Sequence, residues 1–130
     1  MSIRILLFAT RKPTLTPAEF KAHYENNHVP LIQRLAGADF PATHIRRYLA
    51  RSTEPNSDGE YPATVLFGSQ EEFGYDAVTE VVFSDQEAKQ RFFAKLTAPE
   101  AKKLLEEDEE LFLVREKLSV VVIGDCLETK

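Results

Sequence analysis

Apolar residues crowd Ile3-Arg4-Ile5-Leu6-Leu7-Phe8-Ala9 and give way to Thr10-Arg11-Lys12-Pro13, which predicts a buried strand followed by a turn. Thr16-Pro17-Ala18-Glu19 then supplies a capping residue, proline at the first helical position and glutamate three after the cap, so a helix starts at about Pro17. Phe20, Tyr24, Leu31, Ile32 and Leu35 recur along it at three- and four-residue steps, with His28 on the same stripe. Pro30 has no amide to offer the Asn26 carbonyl, so a kink or restart is expected there, and Gly37 ends the element. From Thr43 to Arg51 the chain alternates His44, Arg46, Tyr48 against Ile45, Arg47, Leu49, a second strand with an unusually polar face. Ser52 to Tyr75 is rich in Pro, Gly, Ser, Asn and Asp around an apolar island at Ala63 to Phe67, and a connection of this length predicts a lid, a binding loop or a disordered segment.

The period of two returns from Asp76 to Phe83, a third strand with Asp76 and Glu80 on one face. Ser84-Asp85-Gln86-Glu87 is a second capping box, opening a helix striped by Ala88, Phe92 and Leu96. Pro99 restarts a helical pattern through Ala101, Leu104, Leu105, Leu111 and Phe112, and the acidic run Glu106 to Glu110 within it reads as a solvated face. Leu118 to Ile123 is a continuous apolar last strand. Strand, helix, strand, long loop, strand, helix, helical segment, strand is the split βαβ or ferredoxin-like order, an α+β fold with an antiparallel sheet and helices on one face. Apolar residues on both parities of the first and last strands imply that the other face is buried too, most simply by a second copy of the chain. Two such sheets would close a barrel able to hold a small ligand, making oligomerisation and site formation one event.

The chain has 130 residues, enough for one domain spanning 1–130, and 16 Lys and Arg against 21 Asp and Glu give a net charge of −5. That balance argues against a nucleic-acid partner, whose backbone demands a basic surface. No apolar run reaches the roughly 20 residues of a bilayer span, and the first residues do not read as a signal peptide, so no membrane partner and a cytoplasmic location are expected. One cysteine, Cys126, leaves no internal disulfide. Nucleotide-binding, serine-hydrolase and zincin motifs are missing. Of the three histidines, His23 and His28 are five apart, not the three or four that aim two helical ligands at one metal, so no metal site is expected.

Two readings of His28 stand: a core histidine donating to a carbonyl freed by Pro30, or a general acid/base in a dry cavity, since imidazole titrates near neutrality. His44, Arg46 and Tyr48 share one strand face, and Asp76 and Glu80 another. They either look to solvent and pair across strands or line the barrel interior, offering donors to a carbonyl or phenol and a carboxylate to orient a histidine.

Arg11-Lys12-Pro13-Thr14-Leu15-Thr16-Pro17-Ala18-Glu19-Phe20, running through His23-Tyr24 into Asn27-His28-Val29-Pro30-Leu31, resembles the EthD family of dimeric α+β barrels: a basic-Pro turn, L-[ST]-P-x-E-F, and an aromatic four residues before H-x-P-L. His44-Ile45-Arg46-Arg47-Tyr48, Tyr75 to Glu80 and Arg115 to Val122 extend the likeness over nearly the whole chain, most like fungal members found beside polyketide synthases. The resemblance implies a homodimer and an activity among those of similar barrels, which include polyketide cyclases, cofactor-independent quinone-forming monooxygenases, and decarboxylases or dehydratases of anthraquinone precursors. The H-x-P-L histidine maps onto His28, and the second-strand residues onto His44, Arg46 and Tyr48. The expectation is a lyase, without cofactor, acting on an aromatic or polyketide small molecule. His28 would be the acid/base, His44 and Tyr48 would bind a carbonyl or phenol, Asp76 would orient an imidazole, and Tyr24, Arg46 and Glu80 would complete the substrate site. A monooxygenase and a non-catalytic aromatic-binding barrel are the alternatives.

Overall fold

The computed structural model describes residues 1–130. Four strands, β1 (Ile3–Ala9), β2 (Thr43–Tyr48), β3 (Ala77–Phe83) and β4 (Ser119–Ile123), form one sheet in the order β2-β3-β1-β4. Every neighbouring pair is antiparallel. Helices α1 (Pro17–His23), α2 (Val29–Ala36), α3 (Gln86–Thr97) and α4 (Pro99–Phe112) supply the second layer, which is the predicted ferredoxin-like α+β architecture.

The helix starts follow the sequence signals. Thr16 accepts from the Glu19 amide at 3.1 Å while the Glu19 carboxylate accepts from the Thr16 amide at 2.8 Å, the reciprocal cap that its spacing predicts. At α3 the capping residue is Asp85, one later than Ser84, accepting from the Ala88 amide at 2.8 Å. Gly37 closes α2 with φ of 55°, a left-handed backbone that glycine adopts without a Cβ clash. Pro30 does not kink a single helix. Instead Tyr24–His28 forms a π-helical turn between α1 and α2, in which the Val29 amide donates to the Tyr24 carbonyl five residues back. The wider turn makes room for the proline ring and its missing donor.

Register decides which side chains meet the helices. Ile5, Ala9, Ala77, Thr79, Val81 and Phe83 are buried, and His44, Arg46 and Tyr48 pair directly with Val81, Thr79 and Ala77, so all of them share the covered face. Two apolar clusters hold the layers together, one around Phe20, Tyr24, Val29 and Phe112, the other around Ile5, Phe83 and Phe92. The opposite face carries Arg4, Leu6 and Phe8 from β1, Val78, Glu80 and Val82 from β3, Ile45 and Arg47 from β2 and Val121 and Ile123 from β4. Within this chain no helix covers it. Nor does the helix layer reach β4, whose Val120 and Val122 lie on the helix side yet stay 53% and 59% exposed.

Residues 52–75 form neither a disordered segment nor a loose lid. The Arg51 guanidinium donates to the carbonyls of Tyr61 (2.9 Å), Phe73 (2.6 Å) and Tyr75 (2.9 Å), and Arg51 bridges to Ala63 as an isolated antiparallel pair. Gln70 exchanges two hydrogen bonds with the Ala63 backbone, 2.9 and 2.7 Å long, and opens a short 3-10 turn to Phe73. We refer to this segment as the arm.

Candidate functional site

His28 sits on the last residue of the π turn, 6% exposed, with its ring against Tyr24 and Phe112. In a regular α-helix two residues five apart diverge by about 140°. The π turn removes much of that divergence, and it brings His23 and His28 onto one acceptor, Asp108 of α4. His23 Nε2 lies 2.9 Å from Oδ1 and His28 Nδ1 2.8 Å from Oδ2. Phe112, one turn further along α4, fills the space between the rings, stacked on His23 at 4.7 Å and tilted against His28 at 5.0 Å. As a carboxylate, Asp108 accepts from both imidazoles, which assigns the hydrogen to Nδ1 of His28 and leaves Nε2 as that ring's free atom. His28 Nε2 has no hydrogen-bond partner, yet it is not among the sealed, unpaired polar atoms, so it borders accessible space.

Beside it lies a second polar group. Arg46 grips Glu25 as a fork, Nε to Oε2 at 2.9 Å and Nη2 to Oε1 at 2.5 Å, and the Tyr48 hydroxyl donates to Oε2 at 2.5 Å. The guanidinium holds the Glu25 carboxyl down at about 2. Burial, reinforced by hydrogen bonding to Glu25, pushes the Tyr48 phenol up. Burial beside Arg46 lowers the His44 imidazole to about 4, so this ring is neutral in ordinary buffers. The Tyr24 hydroxyl and Thr79 Oγ1 bond to each other at 2.7 Å, and burial raises the Tyr24 phenol.

The geometry gathers five of the residues expected from sequence, Tyr24, His28, His44, Arg46 and Tyr48, under the helices. It does not place them in an interior between two sheets. Parity puts the second-strand histidine, arginine and tyrosine on the covered face, so one chain builds this constellation without a second copy, contrary to the expected link between pairing and site formation. Asp76 is corrected as well. Its carboxylate accepts from the Arg11 amide at 2.8 Å and from Arg11 Nε at 3.3 Å, and it pairs with Arg51 Nε at 2.8 Å, although that N–H is not aimed at the oxygen. Asp76 therefore ties the arm to β1 and orients no imidazole. Glu80 stands on the bare face between Arg4 (2.7 Å) and Arg47 (3.2 Å), on the opposite side of the sheet from His28.

Asp108, His23 and Glu25 were the residues missed. Asp108 lay inside an acidic run read as one solvated block, but Ala101, Leu105, Asp108 and Phe112 step by four, three and four, which places it on the apolar stripe of α4. Its neighbours Glu106 and Glu109 pair instead with Arg115, each at 3.0 Å. No group of three or more His, Cys, Asp or Glu side chains is arranged to hold a metal ion.

The EthD domain model matches residues 12–116, from the basic-Pro turn to the 3-10 turn before β4. The chain belongs to the EthD family. A solved ethyl tert-butyl ether D (EthD) family protein from Bacillus halodurans C-125 superposes with a TM-score of 0.56 at 17% identity, covering 97% of this chain and 100% of that one. An EthD-like protein from Ralstonia eutropha JMP134 gives a TM-score of 0.54 at 13% identity, over 94% and 87% of the two chains. At such identities the likeness speaks for the EthD fold alone. No curated protein sequence matches this EthD chain significantly. No helix in it is long and apolar enough to cross a membrane.

Proposed function

We propose that this EthD-family protein is a cofactor-free lyase, a decarboxylase or dehydratase, acting on an aromatic polyketide intermediate of secondary metabolism. One observation carries the reading: His28 is fixed through Nδ1 to Asp108 at 2.8 Å, with Nε2 free and aromatic rings around it. Buried carboxylate–imidazole pairs of this kind set the tautomer and steady the imidazolium that forms when the other nitrogen takes a proton. In decarboxylation, the His28 imidazolium would deliver a proton to the carbon bearing the carboxylate. The C–C bond would break, carbon dioxide would leave, and the imidazole would regain a proton from the incoming acid. In dehydration, the same nitrogen would take the proton next to a carbonyl and return it to the departing hydroxyl, water leaving as the double bond forms. General acid/base help supplies roughly 10²–10⁴-fold, so charge stabilisation by neighbouring dipoles must add to it. Neutral His44 offers a donor for a carbonyl, as the Tyr48 hydroxyl and the Arg46 fork are turned to Glu25 and the His44 carbonyl.

The bare, largely apolar sheet face supports a homodimer as part of this proposal, with the two faces packed together. A free, exposed Cys126 fits a reducing cytoplasm as the compartment.

The test is mass spectrometry of aromatic polyketide acids incubated with the protein, with and without dioxygen, alongside His28→Ala. Loss of carbon dioxide or water under anaerobic conditions, abolished in a folded His28→Ala variant, is the expected result. Oxygen-dependent mass gain would replace the lyase by a monooxygenase, saturable binding without a mass change would make the protein a ligand carrier, and full turnover by His28→Ala would remove the mechanism.

A further inference from the structure

The arm ends in an apolar tip that nothing in its own chain covers. Leu66 and Phe67 are 96% and 94% exposed, consecutive, and carried on a segment braced by Arg51 and Gln70. Two further bonds fix its stem, Ser52 N–H to the Pro62 carbonyl at 3.0 Å and Thr64 N–H to the Ala50 carbonyl at 2.8 Å. Single exposed hydrophobics are ordinary, but a preorganised pair of large ones is different, because docking it sacrifices little chain entropy.

Two observations say what the tip meets. The first is continuity. Phe8 of the bare sheet face packs edge-on to Tyr75 with ring centres 5.0 Å apart, and Tyr75 in turn lies 6.4 Å from Phe73. Phe73 lines an apolar groove of about 360 Å³ together with Leu49, Val65, Leu66 and Phe67. The apolar surface thus runs from the end of the sheet face where Phe8 pairs with Val78 and Ser119 out along the arm. The second is charge. Residues 52–75 contain five carboxylates, Glu54, Asp58, Glu60, Glu71 and Glu72, and no lysine or arginine. The strands of the bare face have the opposite balance, with Arg4 and Arg47 sharing one Glu80, while the cleft at its border sets Lys117 beside Glu71 and Glu72 of the chain's own arm. A twofold pairing of two such faces brings the arm at the border of one face toward the other copy, acid against base.

We propose that Leu66 and Phe67 of each copy clamp the sheet face of a second copy, so that the arm is a dimer clasp and not a cover for the His28 site. The inference rests on the homodimer proposed above, and its test separates the two. Sedimentation equilibrium is run on the intact protein and on Leu66→Ser/Phe67→Ser, with circular dichroism and thermal melting as controls for folding. The clasp predicts a dimeric parent and a folded variant whose dissociation constant rises by about a hundredfold or more, since two large side chains per copy lose their burial. A dimeric parent with an unchanged constant in the variant overturns the clasp and leaves the dimer standing. A parent that is monomeric at every concentration overturns both. A photo-crosslinking residue at position 67 supplies the second reading: adducts joining two chains at Arg4–Phe8 or Ser119–Ile123 support the clasp, and adducts confined to one chain or none at all refute it.

Discussion

The two faces of the sheet handle polar groups in opposite ways. Under the helices, each charged or hydroxylated side chain has a specific partner of stated geometry: His23 and His28 on Asp108, Arg46 and Tyr48 on Glu25, Tyr24 on Thr79. On the bare face, Arg4, Glu80 and Arg47 make a chain of ion pairs among Leu6, Phe8, Val78 and Val121, with Arg47 still 57% exposed. Buried polar groups demand full satisfaction because the low dielectric makes a lost partner expensive, whereas solvent forgives a loose pair. Rigidity is concentrated under the helices. The covered side holds a fixed set of hydrogen-bonded pairs, and the bare side holds a surface whose pairings can adjust to whatever lies against it.

The sharpest way to break this contrast is to empty the covered side. Phe112 is completely buried and its ring touches Phe20, Tyr24, His23 and His28, so Phe112→Ala should cost about 3–5 kcal/mol in urea unfolding. A cost under 1 kcal/mol would mean that the layer collapses freely around the gap and that the imidazoles are not held by packing. A matched pair of isosteric changes, one on each face, follows in size. Asp108→Asn can accept from only one imidazole with its single carbonyl oxygen, and should lose about 1–3 kcal/mol, while Glu80→Gln on the bare face of the isolated chain should lose less than about 1 kcal/mol. Equal losses would erase the distinction between the faces.

Acid gives the mildest probe, and its sign follows from the shifts. His44 has a folded value of about 4 against 6.5 for the free imidazole, so the unfolded chain binds a proton that the folded chain refuses, and stability falls as pH drops from 6.5 toward 4. Because this ring is only half-buried, the loss should be on the order of 1–2 kcal/mol. Glu25 is lowered from 4.5 to about 2, so its contribution is complete above 4.5 and is lost as pH falls through that lower window. Unfolding curves of His44→Asn should therefore be flatter than the parent between pH 6.5 and 4 and unchanged in slope below it.

Much of this fold was legible because its signals are local. The Thr16 cap, the Gly37 stop, the first strand and the helix stripes all appear where their residue types put them. Even the order of elements follows from periods of two and 3.6. The site was less legible, for two physical reasons. Alternation assigns residues to two faces but does not say which is covered, and this ambiguity left His44, Arg46 and Tyr48 between solvent and a barrel interior when they lie under the helices. Pairing across long sequence distances has no local mark either. Asp108 is 80 residues from His28, and Arg46 is 21 from Glu25. Asp76 shows the converse error, since the carboxylate expected to orient an imidazole serves Arg11 and Arg51.

Residues 17–36 are best regarded as two amphipathic helices joined with a phase offset, and the π turn is that offset. Each half keeps its own apolar face, Phe20 for the first and Val29, Leu31 and Ala36 for the second. Asn26 and Asn27, both exposed, contribute length to the joint more than contact. Because one helical residue is worth about 100° of rotation, adding or removing a single one there would turn His28 away from His23 and swing the apolar face of α2 out of line with that of α1. The alignment of the two imidazoles is thus counted out by the number of residues in the turn, while their chemistry is set by what α4 presents to them.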